Sequence, residues 1–245
     1  MLYPSLQEVV CVSPDSLRLR ILDSPTGKVY LFSADLRNGT CSAELELDFG
    51  GMMREVHGVG DGRYLCNGES NRYYFTDSSG SKEYLEYWGD DINEAVEGQA
   101  WYNTEIQTTS CISGDSSRIY IYGGRQPVIY EHDINGERLN TVYFGMDPKE
   151  VENMKMGMEY HGFYDVRSIG GNILACYYDF EYDSNKPVED CYTSYIIIFN
   201  RKFQPLARYK VPYIQRCWLD QETGKLITLN FSDEMFRTYD LSEWL

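Results

Sequence analysis

Short stretches rich in Tyr, Val, Ile and Phe follow one another along the whole chain, and Gly, Asp, Asn and Ser separate them. Aromatic and β-branched residues favour strands, and the separating residues favour tight turns. Long helical periodicity is scarce. The sequence therefore predicts an all-β fold of many short antiparallel strands. The predicted strands are residues 17–22, 29–32, 43–49, 63–66, 73–76, 84–88, 118–122, 128–132, 140–144, 172–178, 195–199, 206–211, 225–230 and 235–239.

The predicted strands recur in similar groups. Four groups begin at Gly62, Ser117, Gly171 and Gly224, at intervals of 55, 54 and 53 residues. A less regular copy precedes them. A repeat of about 40–55 residues with three or four strands is typical of a β-propeller, in which each blade covers the apolar face of its neighbour. We therefore predict an all-β β-propeller with five visible blade repeats, which allows five or six blades.

The repeats suggest one propeller domain over residues 1–245, with blade copies at about 17–50, 62–89, 117–145, 171–211 and 224–245. The last copy lacks its outermost strand, and the apolar run 8–12 precedes the first copy. We expect residues 8–12 to complete the last blade and so close the ring. A helical insert is predicted over 147–159, where Asp147 can cap, Pro148 takes the first helical position and Glu150 completes a capping box.

Charge and composition narrow the range of partners. The 245 residues include 22 Lys and Arg against 38 Asp and Glu, a net charge of −16. Such a chain repels nucleic acid and anionic membranes. No run approaches the roughly 18 apolar residues of a transmembrane helix. Seven widely spaced cysteines without a C-x-x-C pair favour free thiols.

Several segments resemble the TolB-like six-bladed β-propeller family of Bacteroidetes, many of whose members are lipoproteins of unknown function. They are SRIYIY (117–122), IYEHDING (129–136), IIIF (196–199), DQETGKLI (220–227) and RTYD (237–240). The resemblance covers about residues 60–245, and propellers of the NHL type look similar. It implies six blades and an extracytoplasmic address, in the periplasm or at the cell surface. It carries over no catalytic residue.

The N-terminal residues show no signal peptide, which favours the cytoplasm unless a leader is missing. Both localisations stay open at this point.

Two histidines stand in matching contexts. His57 lies in EVHGVGD (55–61) and His161 in EYHGFYD (159–165), and Asp61 or Asp165 follows four residues later. In propellers the segment leading into the innermost strand faces the central channel, so these groups are candidates for acid–base catalysis or metal binding. The alternative is that both are conventional blade starts with a solvent-exposed histidine. His132 is expected to be structural.

Other motifs for chemistry are missing from the sequence. It contains no G-x-S-x-G, H-E-x-x-H or P-loop pattern. Its acidic clusters, at 90–97 and 181–190, lack EF-hand spacing. We therefore expect neither a cofactor nor a bound metal.

Two functions fit these observations. The favoured one is a non-enzymatic binding or scaffold module, a monomer that presents loops to a protein, peptide or glycan partner. The alternative is a propeller hydrolase or lyase with carboxylates and histidine, with or without a metal, at the central channel. An enzyme should gather at least three titratable groups at the channel mouth.

Overall fold

Five small antiparallel sheets make up the fold of this chain. The computed structural model describes residues 4–13, 15–68, 73–77, 79–85, 108–113, 115–124, 126–149, 159–230 and 235–245. Each sheet is built from strands that are consecutive in the chain. This is the predicted all-β β-propeller, with five blades. The described residues thus form five blades and not the six that the TolB-like resemblance implies. Within the same residues, no helix has the length and apolar character that a membrane span requires.

Residues 1–102 form one compact unit, which holds two of the sheets. The sheets pack together through an apolar cluster that contains Leu22, Val29, Val56 and Tyr74. The first sheet comprises β1 (Pro4–Val12), β2 (Ser16–Asp23), β3 (Lys28–Asp35) and β4 (Thr40–Asp48), and the second comprises β5 (Met53–Gly60), β6 (Arg63–Gly68), β7 (Tyr73–Thr76) and β8 (Glu83–Tyr84).

Residues 103–245 form a second compact unit with the other three sheets. The third sheet comprises β9 (Thr108–Ile112), β10 (Arg118–Gly123), β11 (Val128–Asp133) and β12 (Arg138–Tyr143). The fourth comprises β13 (Glu159–Ile169), β14 (Asn172–Glu181), β15 (Tyr192–Phe199) and β16 (Pro205–Val211). The fifth comprises β17 (Ile214–Asp220), β18 (Lys225–Asn230) and β19 (Phe236–Asp240). Short 3₁₀ turns cover Val188–Cys191 and Ser242–Trp244.

The middle strands of the third and fourth sheets are largely buried on both faces, which explains the long apolar runs in their sequences. Six consecutive residues of β14, from Ile173 to Tyr178, are buried. One face of the fourth sheet packs with Tyr122 of the third, and the other packs with Leu226 of the fifth. The outermost strand β16 is mostly exposed. The fourth sheet therefore shares its core with both of its neighbours in the second unit, as propeller blades do.

All five sheets begin one strand earlier than the sequence repeats indicated. The strands β1, β5, β9, β13 and β17 precede the predicted starts at about 17, 62, 117, 171 and 224. Register shifts interrupt the pairing of β5, β13 and β17 with the next strand. A bulge of this kind breaks the alternation of period two on which recognition of a strand depends.

The prediction that residues 8–12 complete the last blade is wrong. β1 pairs with β2, with Val9 opposite Leu19 and Val12 opposite Leu17. The turn between them is short, and a hydrogen bond closes it, in which the N–H of Ser13 donates to the carbonyl of Ser16 at 2.8 Å. Closing this small loop costs little entropy, whereas pairing with β19 would close nearly the whole chain. Among the described residues, the fifth sheet has three strands.

The predicted helical insert 147–159 lies largely outside the described residues. At its start, the N–H of Lys149 donates to Oδ1 of Asp147 at 2.9 Å, the contact expected of an N-cap. At its end, Glu159 is already the first residue of β13.

Candidate functional site

The four candidate residues from the sequence lie on two equivalent strands and one turn. His57 is in β5, and His161 and Asp165 are in β13, the first strands of the second and fourth sheets. Asp61 is exposed in the turn after β5 and has a positive φ of 50°. None of the contacts among the described residues joins His57 to Asp61 or His161 to Asp165. The structure therefore gives each histidine a different partner from the carboxylate that follows it in the sequence.

His161 pairs with Asp179. The register of β13 and β14 places these two residues opposite each other, and Nδ1 of His161 lies 2.8 Å from Oδ1 of Asp179. About a third of each side chain is exposed. Burial, followed by a hydrogen bond to Asp179, raises the pKa of the nearby Tyr177. A carboxylate at Nδ1 orients an imidazole and leaves Nε2 on the opposite side of the ring.

Asp165 is the centre of a buried polar cluster. Nε of Arg167 donates to its Oδ2 at 2.5 Å, and the hydroxyl of Tyr122 donates to its Oδ1 at 3.4 Å. The thiol of Cys217 donates to Oδ2 at 3.3 Å. Only 8% of the Asp165 side chain is exposed, against 37% for Arg167. A hydrogen bond with Cys176 and burial raise the pKa of Cys217 well above its usual value. The cluster joins all three sheets of the second unit and holds its charges in a fixed arrangement.

His57 belongs to a polar group on β5, β6 and β7. Glu55, Asn67 and Tyr73 stand opposite one another on the three strands. The hydroxyl of Tyr73 donates to Oε2 of Glu55 at 2.9 Å, and Nε2 of His57 lies 3.8 Å from the same oxygen. Asn67 is completely buried, and neither its amide nitrogen nor its amide oxygen has a hydrogen-bond partner.

A cleft of about 500 Å³ opens at the turn ends of the strands in the second unit. Its walls come from the β9–β10, β13–β14, β15–β16 and β17–β18 connections and from Leu245. Arg118 and Arg201 line it together with the carboxylates of Asp115 and Glu131. Its volume lies within the range of 300–1,000 Å³ that is usual for ligand sites.

The ion pairs of the cleft are loose. Nε of Arg118 lies 3.5 Å from Oε1 of Glu131, and Nη2 of Arg201 lies 3.7 Å from Oδ2 of Asp115. Both distances exceed those of well-formed charge-assisted hydrogen bonds. Arg201 is also 68% exposed, so its attraction to Asp115 is screened by water.

Local hydrogen bonds satisfy Asp115 without help from Arg201. The hydroxyls of Ser113 and Ser117 donate to its Oδ1 at 2.6 and 2.7 Å. These two bonds are the main reason why the pKa of Asp115 falls to about 2, and the charge of Arg201 contributes least. Burial raises the pKa of Glu131, although Arg118 partly offsets that effect. The cleft thus combines one carboxylate, Asp115, that is satisfied by local hydrogen bonds with two arginines whose ion pairs are loose.

Sequence reasoning did not identify this cleft. Arg118 and Glu131 occur in strands of the third sheet that the sequence predicted correctly, but their roles depend on how neighbouring sheets pack. Arg201 comes from the β15–β16 turn of the next sheet. No sequence spacing links these residues. Across the part of the chain that the structure describes, no three His, Cys, Asp or Glu side chains are grouped to hold a metal ion.

Comparisons with known proteins support the fold. The chain matches no protein-family profile and no curated protein. A protein of known structure from Lactobacillus plantarum is similar, with a TM-score of 0.51 and 10% identity over 93% of this chain and 65% of that one. At this identity the similarity shows the fold alone.

Two further solved structures align over most of this chain at lower similarity. A eukaryotic initiation factor has a TM-score of 0.46 and 10% identity, over 98% of this chain and 52% of its own. A chain of a mitotic checkpoint complex has a TM-score of 0.43 and 9% identity, over 93% and 71% respectively. The chain therefore spans about half the length of the initiation factor that it matches.

Proposed function

We propose that this chain is a non-enzymatic binding module whose cleft in the second unit takes a peptide segment of a partner protein, anchored by carboxylate side chains. The observation that carries the proposal is the cleft of about 500 Å³ with Arg118 and Arg201 in its wall. A guanidinium group presents up to five N–H donors in a fork that matches a carboxylate. An acidic side chain entering the cleft can therefore be held by two hydrogen bonds from one arginine.

Arg201 can change partners at low cost. Arg201 keeps a hydrogen bond from its Nε to the carbonyl of Gly171 at 3.2 Å, which holds the guanidinium over the cleft. Its contact with Asp115 is long and exposed, and the serine hydroxyls keep Asp115 satisfied when Arg201 turns away. Arg118 is likewise anchored by a bond from its Nη1 to the carbonyl of Ser117. Both groups are held in place by backbone carbonyls and can still accept a ligand.

A hydrolase or lyase is the second candidate function, and one observation favours it. The 2.8 Å contact between His161 and Asp179 is the orientation that a general-base histidine needs. The candidate Asp165 does not add to that arrangement, because it is bound to Arg167. A binding module agrees better with these contacts, since acid–base chemistry would need further groups around His161.

Fluorescence polarisation with labelled peptides tests the binding proposal. We expect Asp- and Glu-containing peptides to bind more tightly than matched Asn and Gln peptides. R201Q should weaken binding of the acidic peptides at least tenfold, because a charged hydrogen bond is worth about 1.5–3 kcal/mol. K202Q is the matched control, since it removes the same charge one residue away from a position outside the lining of the cleft.

Equal binding of acidic and amide peptides, or an equal loss in R201Q and K202Q, would show that the cleft does not recognise carboxylates. Glycan arrays run with the same variants cover the remaining ligand class. Catalysis would appear as turnover of ester, peptide or glycoside substrates that H161Q abolishes and R201Q does not.

We also infer that the whole chain behaves as one monomeric domain and belongs with the TolB-like propellers. The support is the shared blade architecture of both units and the segments quoted above. A single calorimetric transition and a monomer mass by light scattering are expected. Two separate transitions, one for each unit, would mean that residues 1–102 and 103–245 are independent domains.

A further inference from the structure

We propose that Glu55, His57 and Asn67, in the first unit, form a binding site for a divalent transition-metal ion, with zinc as the preferred ion. This site is separate from the cleft of the second unit and does not depend on its function. The sequence offered His57 as a candidate for metal binding, but the grouping with Glu55 and Asn67 depends on how β5 pairs with β6.

The sheet geometry brings the three side chains to one face. Glu55 and Asn67 are directly opposite each other on β5 and β6, and His57 is two residues beyond Glu55 on the same strand. Opposite residues have Cβ atoms about 5 Å apart, and residues at i and i+2 share a face. No register shift falls between Glu55 and His57. The opposite face of this sheet carries Val56 and Cys66, which pack in the apolar core.

Asn67 is the observation that points to a ligand. It is completely buried, and both polar atoms of its amide are without a hydrogen bond. A buried amide without hydrogen bonds has lost its contacts with water and gained nothing in return, so native proteins rarely keep one. The Nε2 atom of His57 is also buried without a hydrogen-bond partner. A bound cation would accept electron pairs from the Asn67 oxygen and the His57 nitrogen, so that of the three atoms only the amide nitrogen of Asn67 would stay without a partner.

The measured separation agrees with two ligands of one ion. Nε2 of His57 lies 3.8 Å from Oε2 of Glu55, too far for a hydrogen bond. An ion bonded to both atoms at about 2.1 Å would hold them about 3.4 Å apart at the tetrahedral angle, so a small side-chain movement closes the site. The hydroxyl of Tyr73 donates to Glu55 at 2.9 Å. It orients the carboxylate, as groups behind metal ligands commonly do.

The donor set selects the ion. One imidazole nitrogen with two oxygen donors suits zinc, which takes nitrogen and oxygen ligands at four positions. Calcium and magnesium prefer six or more oxygen donors or retain their water. With three protein ligands, a zinc ion here would keep its fourth position for water or a ligand.

A thermal-shift titration with zinc chloride, manganese chloride and calcium chloride, each alone, tests the proposal. Zinc at about a hundredfold excess over its dissociation constant should raise the Tm by on the order of 5 °C or more. Isothermal titration calorimetry should give one ion per chain, and Co²⁺ should give a visible absorption band. H57Q and E55Q should each lower zinc affinity at least tenfold.

N67L tests the proposal with a variant that is expected to stay folded. It replaces the unsatisfied amide with an apolar side chain of similar size, so the metal-free protein should become more stable while the zinc-induced shift disappears. H161Q is the matched control, because His161 is also paired with a carboxylate, Asp179, but lies on β13. It should leave the zinc-induced shift unchanged.

Three results would overturn the proposal. The first is the absence of a shift with every ion, which would mean that the buried amide holds only water. The second is an equal zinc shift in wild type and N67L, and the third is loss of the shift in H161Q. A larger shift with manganese or calcium than with zinc would refute the choice of ion.

Discussion

Removing Arg167 should destabilise the protein far more than a typical partly exposed substitution does. R167M leaves Asp165 with 8% exposure and without the guanidinium that now lies 2.5 Å from its Oδ2. Breaking a buried pair by removing one partner costs about 3–5 kcal/mol. Because 37% of the Arg167 side chain is exposed, water screens part of the interaction, and a loss somewhat below that range, about 2–3 kcal/mol, is expected.

The pair can be separated from its surroundings by a double-mutant cycle. D165N keeps a hydrogen-bonding group beside Tyr122 and leaves Arg167 close to solvent, so it should cost only about 1–2 kcal/mol. The double variant D165N/R167M contains no unpaired charge. Its free energy of unfolding should therefore exceed the additive expectation by about 2 kcal/mol.

Urea denaturation at about pH 7 measures these differences as shifts in midpoint at a constant slope. In a protein of this size, 2–3 kcal/mol corresponds to a fall in Tm of about 4–12 °C for R167M. A loss below about 0.5 kcal/mol in R167M, or additivity of the two single variants within that margin, would refute the interpretation that the ion pair stabilises the buried cluster around Asp165.

Three further predictions concern single positions. G224A should lower the Tm because Gly224 has φ +67° and a Cβ there would lie 2.7 Å from the main chain of Ser242, whereas G171A, which meets nothing within 4 Å, should be tolerated. Peptide mapping after alkylation should find exposed Cys41 modified in the native protein and Cys66 unmodified, because burial raises the pKa of Cys66 to about 12. Burial also raises the pKa of Glu131 above its usual 4.5, so the folded state favours the neutral carboxyl, and this stabilisation is lost as pH rises through the folded pKa. Urea denaturation should therefore show E131Q gaining stability relative to wild type between about pH 4 and pH 7. A difference between the two proteins that stays constant with pH would contradict this.

The hairpins of the sheets could be predicted from the sequence because their signals are local. Strand β10 and its partner β11 follow the predicted strands at 118–122 and 128–132 within one residue. The turn at Asp133–Gly136 also forms as its residues suggest, with the N–H of Gly136 donating to the carbonyl of Asp133. Aromatic and β-branched residues favour strands, and turn residues favour turns, through interactions within a few positions of the chain. The hairpins that they predict therefore form whichever way the sheets pack.

The partners of charged groups could not be predicted in the same way. His161 meets Asp179 because a hairpin register brings together residues 18 positions apart. A register shift lies between Phe163 and Asp165, and Asp165 pairs with Arg167 on its own strand. Where a bulge falls depends on packing between sheets, which a single sequence does not display. The same is true of the cleft, whose arginines come from two sheets.

Every hydrogen-bonded strand pair described in the chain joins neighbours in the sequence. Such pairing has a consequence for synthesis, because each sheet can complete its own ladder as soon as its last strand has left the ribosome. None of the described strands has to wait for a distant partner, so their unpaired edges are exposed only briefly. The loops that join the paired strands are short, which favours rapid folding for an all-β protein. We therefore expect nascent chains to acquire protease resistance in steps, one sheet at a time.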